Sequence, residues 1–297
     1  MSKEVGGDSV NTMEGTRDPV SANTDHINPA DLLPFGRRGV VISSARDIRP
    51  AAEALRDMAR ELSNFRVAVC PNIASRLPMT DAEGNALAET VFGWPCSKDQ
   101  WWKKPLLALI SPLTFVCRYE SEPFWANARG IHTRAPNPLL DQVDLSHFRE
   151  SVNAESFIVV PVHLPFGQIG AISYSPMEPG REDLSREFEL YADILEYHGR
   201  RFINGYSRVT SQRPWIARNC RLSKREVECL RWAALGKTDA EIATILGRSC
   251  ATVRFHIHNA ATKLEAVNRS QTVFKATQLG YLGNVAAISA SQAQPHG

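Results

Sequence analysis

Leu222–Leu264 reads LSKREVECLRWAALGKTDAEIATILGRSCATVRFHIHNAATKL. Ser223-Lys-Arg-Glu226 is a capping box: the serine accepts from a first-turn N–H and the glutamate reaches back to the cap. The helix it starts carries Val227, Leu230 and Ala234 and stops at Gly236, which tolerates the left-handed C-cap. Thr238-Asp-Ala-Glu241 is a second box, opening a short helix with Ile242, Ile245 and Leu246 that ends at Gly247. A third helix begins near Ser249, with Val253, Ile257, Ala260 and Leu264 on one stripe. A fourth begins at Asn268-Arg-Ser270 and includes Val273, Ala276 and Leu279. The spacing predicts an all-α, four-helix module over residues 218–283. Two short helices joined by a tight glycine turn precede a third with one polar face, which is a helix-turn-helix.

With Val253 and Ile257 facing the core, Arg254, Phe255 and His258 fall on the opposite side. Arg254 and His258 are one turn apart, so both can enter one major groove. Lys224, Arg248 and Lys263, with Arg221 and Arg269, are placed to meet phosphates. Ser249 and Thr252, at the start of the third helix, complete the expected contact set. Charge agrees. Residues 215–283 hold eleven Lys/Arg against five Asp/Glu, a balance of +6, so the chain's total of +2 leaves −4 for the remainder. A basic module joined to a mildly acidic one places the polyanion at the C-terminal part.

The quoted stretch resembles the LuxR/NarL-type DNA-binding domain over nearly its whole length. The resemblance rests on Glu226, Leu230, Gly236-Lys-Thr238, Glu241-Ile-Ala243, Thr252-Val253, His256 and Lys263-Leu264. It implies that Arg254, Phe255 and His258 approach bases and that the fourth helix, with Val273, Ala276 and Leu279, serves a homodimer. Double-stranded DNA carrying an inverted repeat and RNA polymerase are the partners it implies.

Working outward, residues 1–36 are rich in Asn, Asp, Ser, Gly and Pro without an apolar period, as expected of a disordered arm. A helix is predicted over 47–63, with Leu55, Met58 and Leu62 at helical spacing, and then a strand over Phe65–Cys70, ended by Pro71. Residues 74–88 read as loop, and 99–110 as a helix interrupted near Pro105. Ser111-Pro112 is a good helix start, although Leu113–Tyr119 also has strand composition. A short helix is expected near 145–154. Ser156–His163 and Gln168–Tyr174 form two apolar runs around Phe166-Gly167, a hairpin at a sheet centre. A long helix follows over 181–203. The interleaving predicts an α+β, α-β-α sandwich sensor domain at 37–203, a linker at 204–217 and a flexible tail at 284–297.

The order of these elements is similar to the autoinducer-binding domain of quorum-sensing LuxR regulators. Trp101 or Trp102 stands for the pocket tryptophan. Ser111-Pro112 stands where the family has Asp-Pro, whose carboxylate bonds the amide of an acyl-homoserine lactone. Pro123-Phe-Trp125 resembles the family's Pro-Phe-x-Trp with one residue missing. Phe157 occupies a position where a glycine is expected, and Ser173 fits the late hairpin. The resemblance thus implies a ligand layer containing Trp101, Trp102, Ser111, Trp125, Phe157 and Ser173. A carboxylate is roughly twice as strong an acceptor as a neutral group. Its replacement by serine weakens the case for an acyl-homoserine lactone, and a different small ligand, aromatic or hydrophobic, is the leading reading. An acyl-homoserine lactone, or no ligand and control by a protein partner, remain the alternatives. Core packing for the tryptophans and simple helix capping for Ser111 are the plain structural readings beside these.

Other chemistry leaves few traces. There is no GxSxG, HExxH, P-loop or GxGxxG, and His132, His147 and His163 are scattered, so no enzyme is expected. None of the six cysteines (Cys70, Cys96, Cys117, Cys220, Cys229, Cys250) forms a CxxC pair, which argues for buried free thiols over a metal or redox site. No cofactor and no metal are expected. Without an apolar run of membrane-spanning length or a leader pattern at MSKEVGGDSV, the reading is a cytoplasmic protein that does not engage a membrane.

Overall fold

The Asp47 carboxylate accepts from the backbone N–H groups of Ser43 and Ser44, at 3.0 and 2.8 Å, and so closes a short 3-10 turn, Ala45–Asp47, that runs directly into the first α-helix. In the computed structural model, which describes residues 40–75, 77–94, 111–146, 148, 154–210 and 220–283, helix α1 spans Ile48–Ser63. Its inner stripe is Ile48, Ala51, Ala52, Leu55, Met58 and Ala59. Asn64 turns the chain in the left-handed region (φ 47°), directly into strand β1, Phe65–Cys70. Two short helices follow among the described residues, α2 (Leu87–Thr90) and α3 (Pro112–Val116). Strands β2 (Phe124–Asn127), β3 (Gly130–Thr133), β4 (Ser156–Leu164) and β5 (Gln168–Pro176) precede the long helix α4, Ser185–Thr210.

The strands form one antiparallel sheet in the order β1-β5-β4-β2-β3. One face is covered by α1 and α4 over a core that includes Leu55, Phe65, Ile158, Ile172, Tyr174, Leu195 and Phe202. The other face carries Cys70, Phe124, Ala126, Phe157 and Val159, packed with Leu113 and Val116 of α3 and with Phe148. The expected sandwich is therefore present, with α3 in its second outer layer.

Three features depart from the sequence reading. The β2–β3 hairpin was not anticipated. Its turn is built by Asn127, whose Oδ1 accepts from Arg129 N (2.8 Å) and Gly130 N (3.1 Å), and its β2 strand is buried on both faces and shows no alternation. Residues 87–90, partly assigned to loop, form α2. The long helix continues to Thr210, into the predicted linker, through Asn204-Gly205. Gly205 is not a stop there. A Cβ on it would lie 2.8 Å from Ile42 Cβ, so the glycine permits close approach of α4 to the segment before α1. The helix expected at 99–110 and most of that near 145–154 lie outside the described residues.

The C-terminal module follows its local signals. Helices α5 (Lys224–Ala234), α6 (Asp239–Leu246), α7 (Cys250–Lys263) and α8 (Arg269–Gln278) start at Ser223, Thr238, Ser249 and Asn268, each of whose side chains accepts a backbone N–H. Both capping boxes are closed, and Gly236 (φ 81°) and Gly247 (φ 59°) take the left-handed turns between helices. Two small cores result: Leu230, Ala260, Leu264 and Ala276 in one, Cys229, Ile242, Val253 and Ile257 in the other. Gln278 of α8 donates to the Phe166 carbonyl in the β4–β5 turn at 3.3 Å, linking the module to the sheet.

Candidate nucleic-acid interface and ligand layer

Helix α7 has two unlike sides. Val253, Ile257 and Ala260 are buried, and Arg254, Phe255 and His258 are exposed, Phe255 with 61% of its surface open to solvent. A large aromatic ring left in water on the polar side of a helix is unusual for a residue with only a packing role. At the N-terminal end, Ser249 Oγ accepts from Thr252 N at 3.1 Å and lies 2.8 Å from Thr252 Oγ1, so both residues define the helix start. Arg248 and Lys224 are exposed.

Two of the basic residues assigned to phosphates are engaged inside the module. Lys263 Nζ donates to both carboxylate oxygens of Glu226, each at 2.8 Å, tying α7 to α5. Burial by itself would raise the pKa of Glu226. The Lys263 ammonium and the Ser223 N–H outweigh it and hold the carboxyl below its usual range. Arg269 donates to Asp239 and, at 2.6 Å, to the Lys237 carbonyl, tying α8 to the start of α6. The second oxygen of Asp239 faces Arg254, with Nε at 3.4 Å. Sequence reasoning missed these pairs because their members lie 37, 30 and 15 positions apart. The appearance of Glu226 and Lys263 together among the family hallmarks was the available signal.

The fourth helix also differs from expectation in its facing. Val273, Ala276 and Leu279 pack into the module's own core, and the outward apolar side chains are Phe274 (59% exposed) and Val267 (86% exposed).

On the sheet, Phe157 and Ser173 point into the layer that contains α3. Phe157 is buried, its ring 6.2 Å from that of Phe148, and Ser173 lies beside Val159 in the pairing of β4 with β5. Ser111 is buried at the N-cap of α3, where its side chain makes no capping bond. Trp125 sits on the other face, in the α1–α4 core, stacked on His132 with centroids 3.8 Å apart. A strand turns over with each residue, so the residue missing between Phe124 and Trp125 sends the indole to the opposite side. Trp101 and Trp102 lie outside the described residues. Two thiols lie in the same layer as α3. Burial pushes Cys70 far up and Cys117 up to about 12, so both are unreactive thiols at neutral pH.

Among the described residues no helix is long and apolar enough to cross a membrane, and no cluster of three His, Cys, Asp or Glu could hold a metal.

Residues 221–276 match the GerE family, described as bacterial regulatory proteins, luxR family. The transcriptional activator protein VanR of Vibrio anguillarum is 37% identical over 127 residues, covering 41% of this chain and 50% of VanR. The quorum sensing-dependent transcriptional regulator RpaR of Rhodopseudomonas palustris is 37% identical over 191 residues, covering 64% of this chain and 73% of RpaR. The transcriptional activator protein LuxR of Aliivibrio fischeri is 30% identical over 128 residues, 40% of this chain and 47% of LuxR. The chain thus spans about half the length of VanR and LuxR. A crystal structure of Escherichia coli SdiA aligns with 22% identity over 86% of this chain and 97% of SdiA, with a TM-score of 0.44. From the helix-turn-helix match at 221–276 and the RpaR match over most of that protein, the chain belongs to the luxR family of bacterial regulatory proteins.

Proposed function

We propose that the chain is a DNA-binding transcription regulator, not an enzyme, that works in the cytoplasm as a homodimer on an inverted-repeat promoter site. The observation that carries this reading is the exposed Arg254, Phe255 and His258 strip on α7, opposite a buried Val253, Ile257 and Ala260. Arg254 offers two donors that match guanine O6 and N7, and Phe255 suits a thymine methyl group. Lys224 and Arg248 meet phosphates, and Ser249 and Thr252 set the entry of the helix into the groove. Lys263 acts indirectly, by holding α7 on α5 through Glu226. One recognition helix reads too few base pairs to select one genomic site, so two copies act together. Phe274 and Val267 supply the apolar contact between copies, and RNA polymerase is the partner downstream.

A small hydrophobic ligand, held in the layer between α3 and the sheet by Ser111, Phe157 and Ser173, controls this activity. The family resemblance adds Trp101 and Trp102 to the ligand contacts. Trp125 supports it from behind the sheet. The β4–β5 turn that borders the layer touches α8 through Gln278, which supports a short route from ligand to module. The quorum-sensing relatives favour an acyl-homoserine lactone as the second reading, and the serine at position 111 weighs against it.

The test is binding of the full chain to selected and random duplexes across a salt series. A steep fall of log K with log[salt] is expected. Arg254→Ala should cost about 1–3 kcal/mol on the selected site and less on random DNA. Equal losses on both would reduce Arg254 to a phosphate contact. Mass spectrometry of small molecules carried by the natively purified protein tests the ligand, and an empty, stably folded protein would favour control by a protein partner.

A further inference from the structure

We infer that Asp239 is a specificity-determining positioning residue, which orients Arg254 for a guanine and discourages undirected contact with phosphate. The inference rests on the DNA-reading role proposed above. Asp239 is the first residue of α6, and its side chain is mostly buried, 24% exposed, between two arginines. Its Oδ1 accepts from Arg269 Nη1, and Arg269 is held in turn by the Lys237 carbonyl. The carboxylate is therefore anchored at the junction of α6 and α8, independently of α7. Its Oδ2 then faces Arg254 Nε at 3.4 Å.

That contact is made through Nε, so it does not use the terminal Nη1–Nη2 edge of the guanidinium. The terminal edge is a two-donor fork of the kind that reads guanine O6 and N7. Arg254 itself is 72% exposed, and an ion pair this open adds little to stability. A carboxylate beside a DNA-facing helix also repels the phosphate backbone of every sequence alike. Its placement makes sense where discrimination matters more than affinity. By pairing with Nε it restricts the rotamers of a long side chain before DNA arrives, and it lowers the gain from an unspecific phosphate contact. The competing account is that Asp239 only favours the α6 N-terminus through the helix dipole.

The two accounts separate in one experiment. The full chain, Asp239→Asn, Arg254→Ala and the double variant each select from a duplex library with two randomised half-sites in inverted repeat. Binding to a fixed random duplex is measured at the same salt concentration. Asp239→Asn is expected to weaken preference roughly 2- to 10-fold, the value of ordering one flexible side chain, at the base pair that Arg254→Ala relaxes. Its affinity for the random duplex should stay level or rise. In the Arg254→Ala background, Asp239→Asn should change preference no further. Asp239→Ser is the second neutral variant should the asparagine protein lose its helical circular dichroism. Unchanged preference at that base pair, an equal loss on all sequences, or the same loss without Arg254 would each overturn the inference. Failure of the unaltered chain to enrich any sequence would instead overturn the DNA reading on which it rests.

Discussion

The C-terminal helices and the N-terminal sheet are specified in opposite ways. In the module, each helix start is settled within four residues, by Ser223 with Glu226, Thr238 with Glu241, Ser249 with Thr252 and Asn268 with Gln271. In the sheet, β1 pairs with β5 across more than a hundred residues, Phe65 opposite Pro176. Local chemistry survives transfer from sequence to structure because its partners are always within reach. Non-local pairing depends on what else competes for the same edge and face. The module's strength lies in few, identifiable contacts, and the sheet's in shape.

The largest effect should come from the Lys263–Glu226 ion pair, whose carboxylate is buried and whose ammonium is partly exposed. Lys263→Met leaves the Glu226 carboxylate, 4% exposed, without its cation. Breaking such a pair from one side should destabilise the module by about 3 kcal/mol, read by urea titration. Adding Glu226→Gln, which keeps the capping chemistry, should recover most of the loss. A negligible cost for Lys263→Met would show that the module is held by its local caps alone. The pH dependence has a definite sign. The folded-state pKa of Glu226 is depressed, so its contribution is complete above the ordinary glutamate range and is lost as pH falls through the folded value.

Next is a substitution that tests the sheet region's dependence on shape. By helix propensity alone, Gly205→Ala should stabilise α4 by about 1 kcal/mol. The new Cβ would sit 2.8 Å from Ile42 Cβ, an atom too near the backbone to swing aside. A net destabilisation of about 1–2 kcal/mol is expected, and most of that added cost should disappear in an Ile42→Gly background, which has no Cβ at position 42. A more stable Gly205→Ala protein would sink the close-approach explanation and leave helix propensity as the ruling effect at this position.

A smaller loss is expected from Thr238→Ala. It removes the Oγ1 that accepts from Glu241 N, and should cost about 1 kcal/mol, confined to the module. Hydrogen exchange resolves where the loss falls, and protection lost in α1 or α4 would mean that the two regions unfold together.

The smallest effect is a slope. His198 on α4 is 4% exposed, and neither ring nitrogen has a hydrogen-bond partner among the described residues. Burial, helped by the nearby Arg201 cation, lowers its pKa. The unfolded chain therefore takes up a proton before the folded one. Stability should decline as pH falls through the ordinary histidine value near 6.5 and level off below the folded value. His198→Leu should flatten that slope at little cost, because it replaces an unpaired polar ring with an apolar side chain. Persistence of the slope in His198→Leu would assign it to another group.

From its sequence alone the chain declares the four capped helices, the polar strip of α7 with Arg254 and His258, the Phe65–Cys70 strand, and the hairpin around Phe166-Gly167. All of these rest on neighbours a few positions apart or on a repeated apolar period. The tertiary structure decided what distance hides: that Trp125 faces α4 while Phe157 faces α3, that Gly205 continues a helix, that Asn127 turns a hairpin, and that Lys263 and Arg269 are bound to Glu226 and Asp239. A one-residue change of strand register reverses a face, and a charged side chain has many possible partners until the helices pack. Neither question has an answer within any short window of the chain.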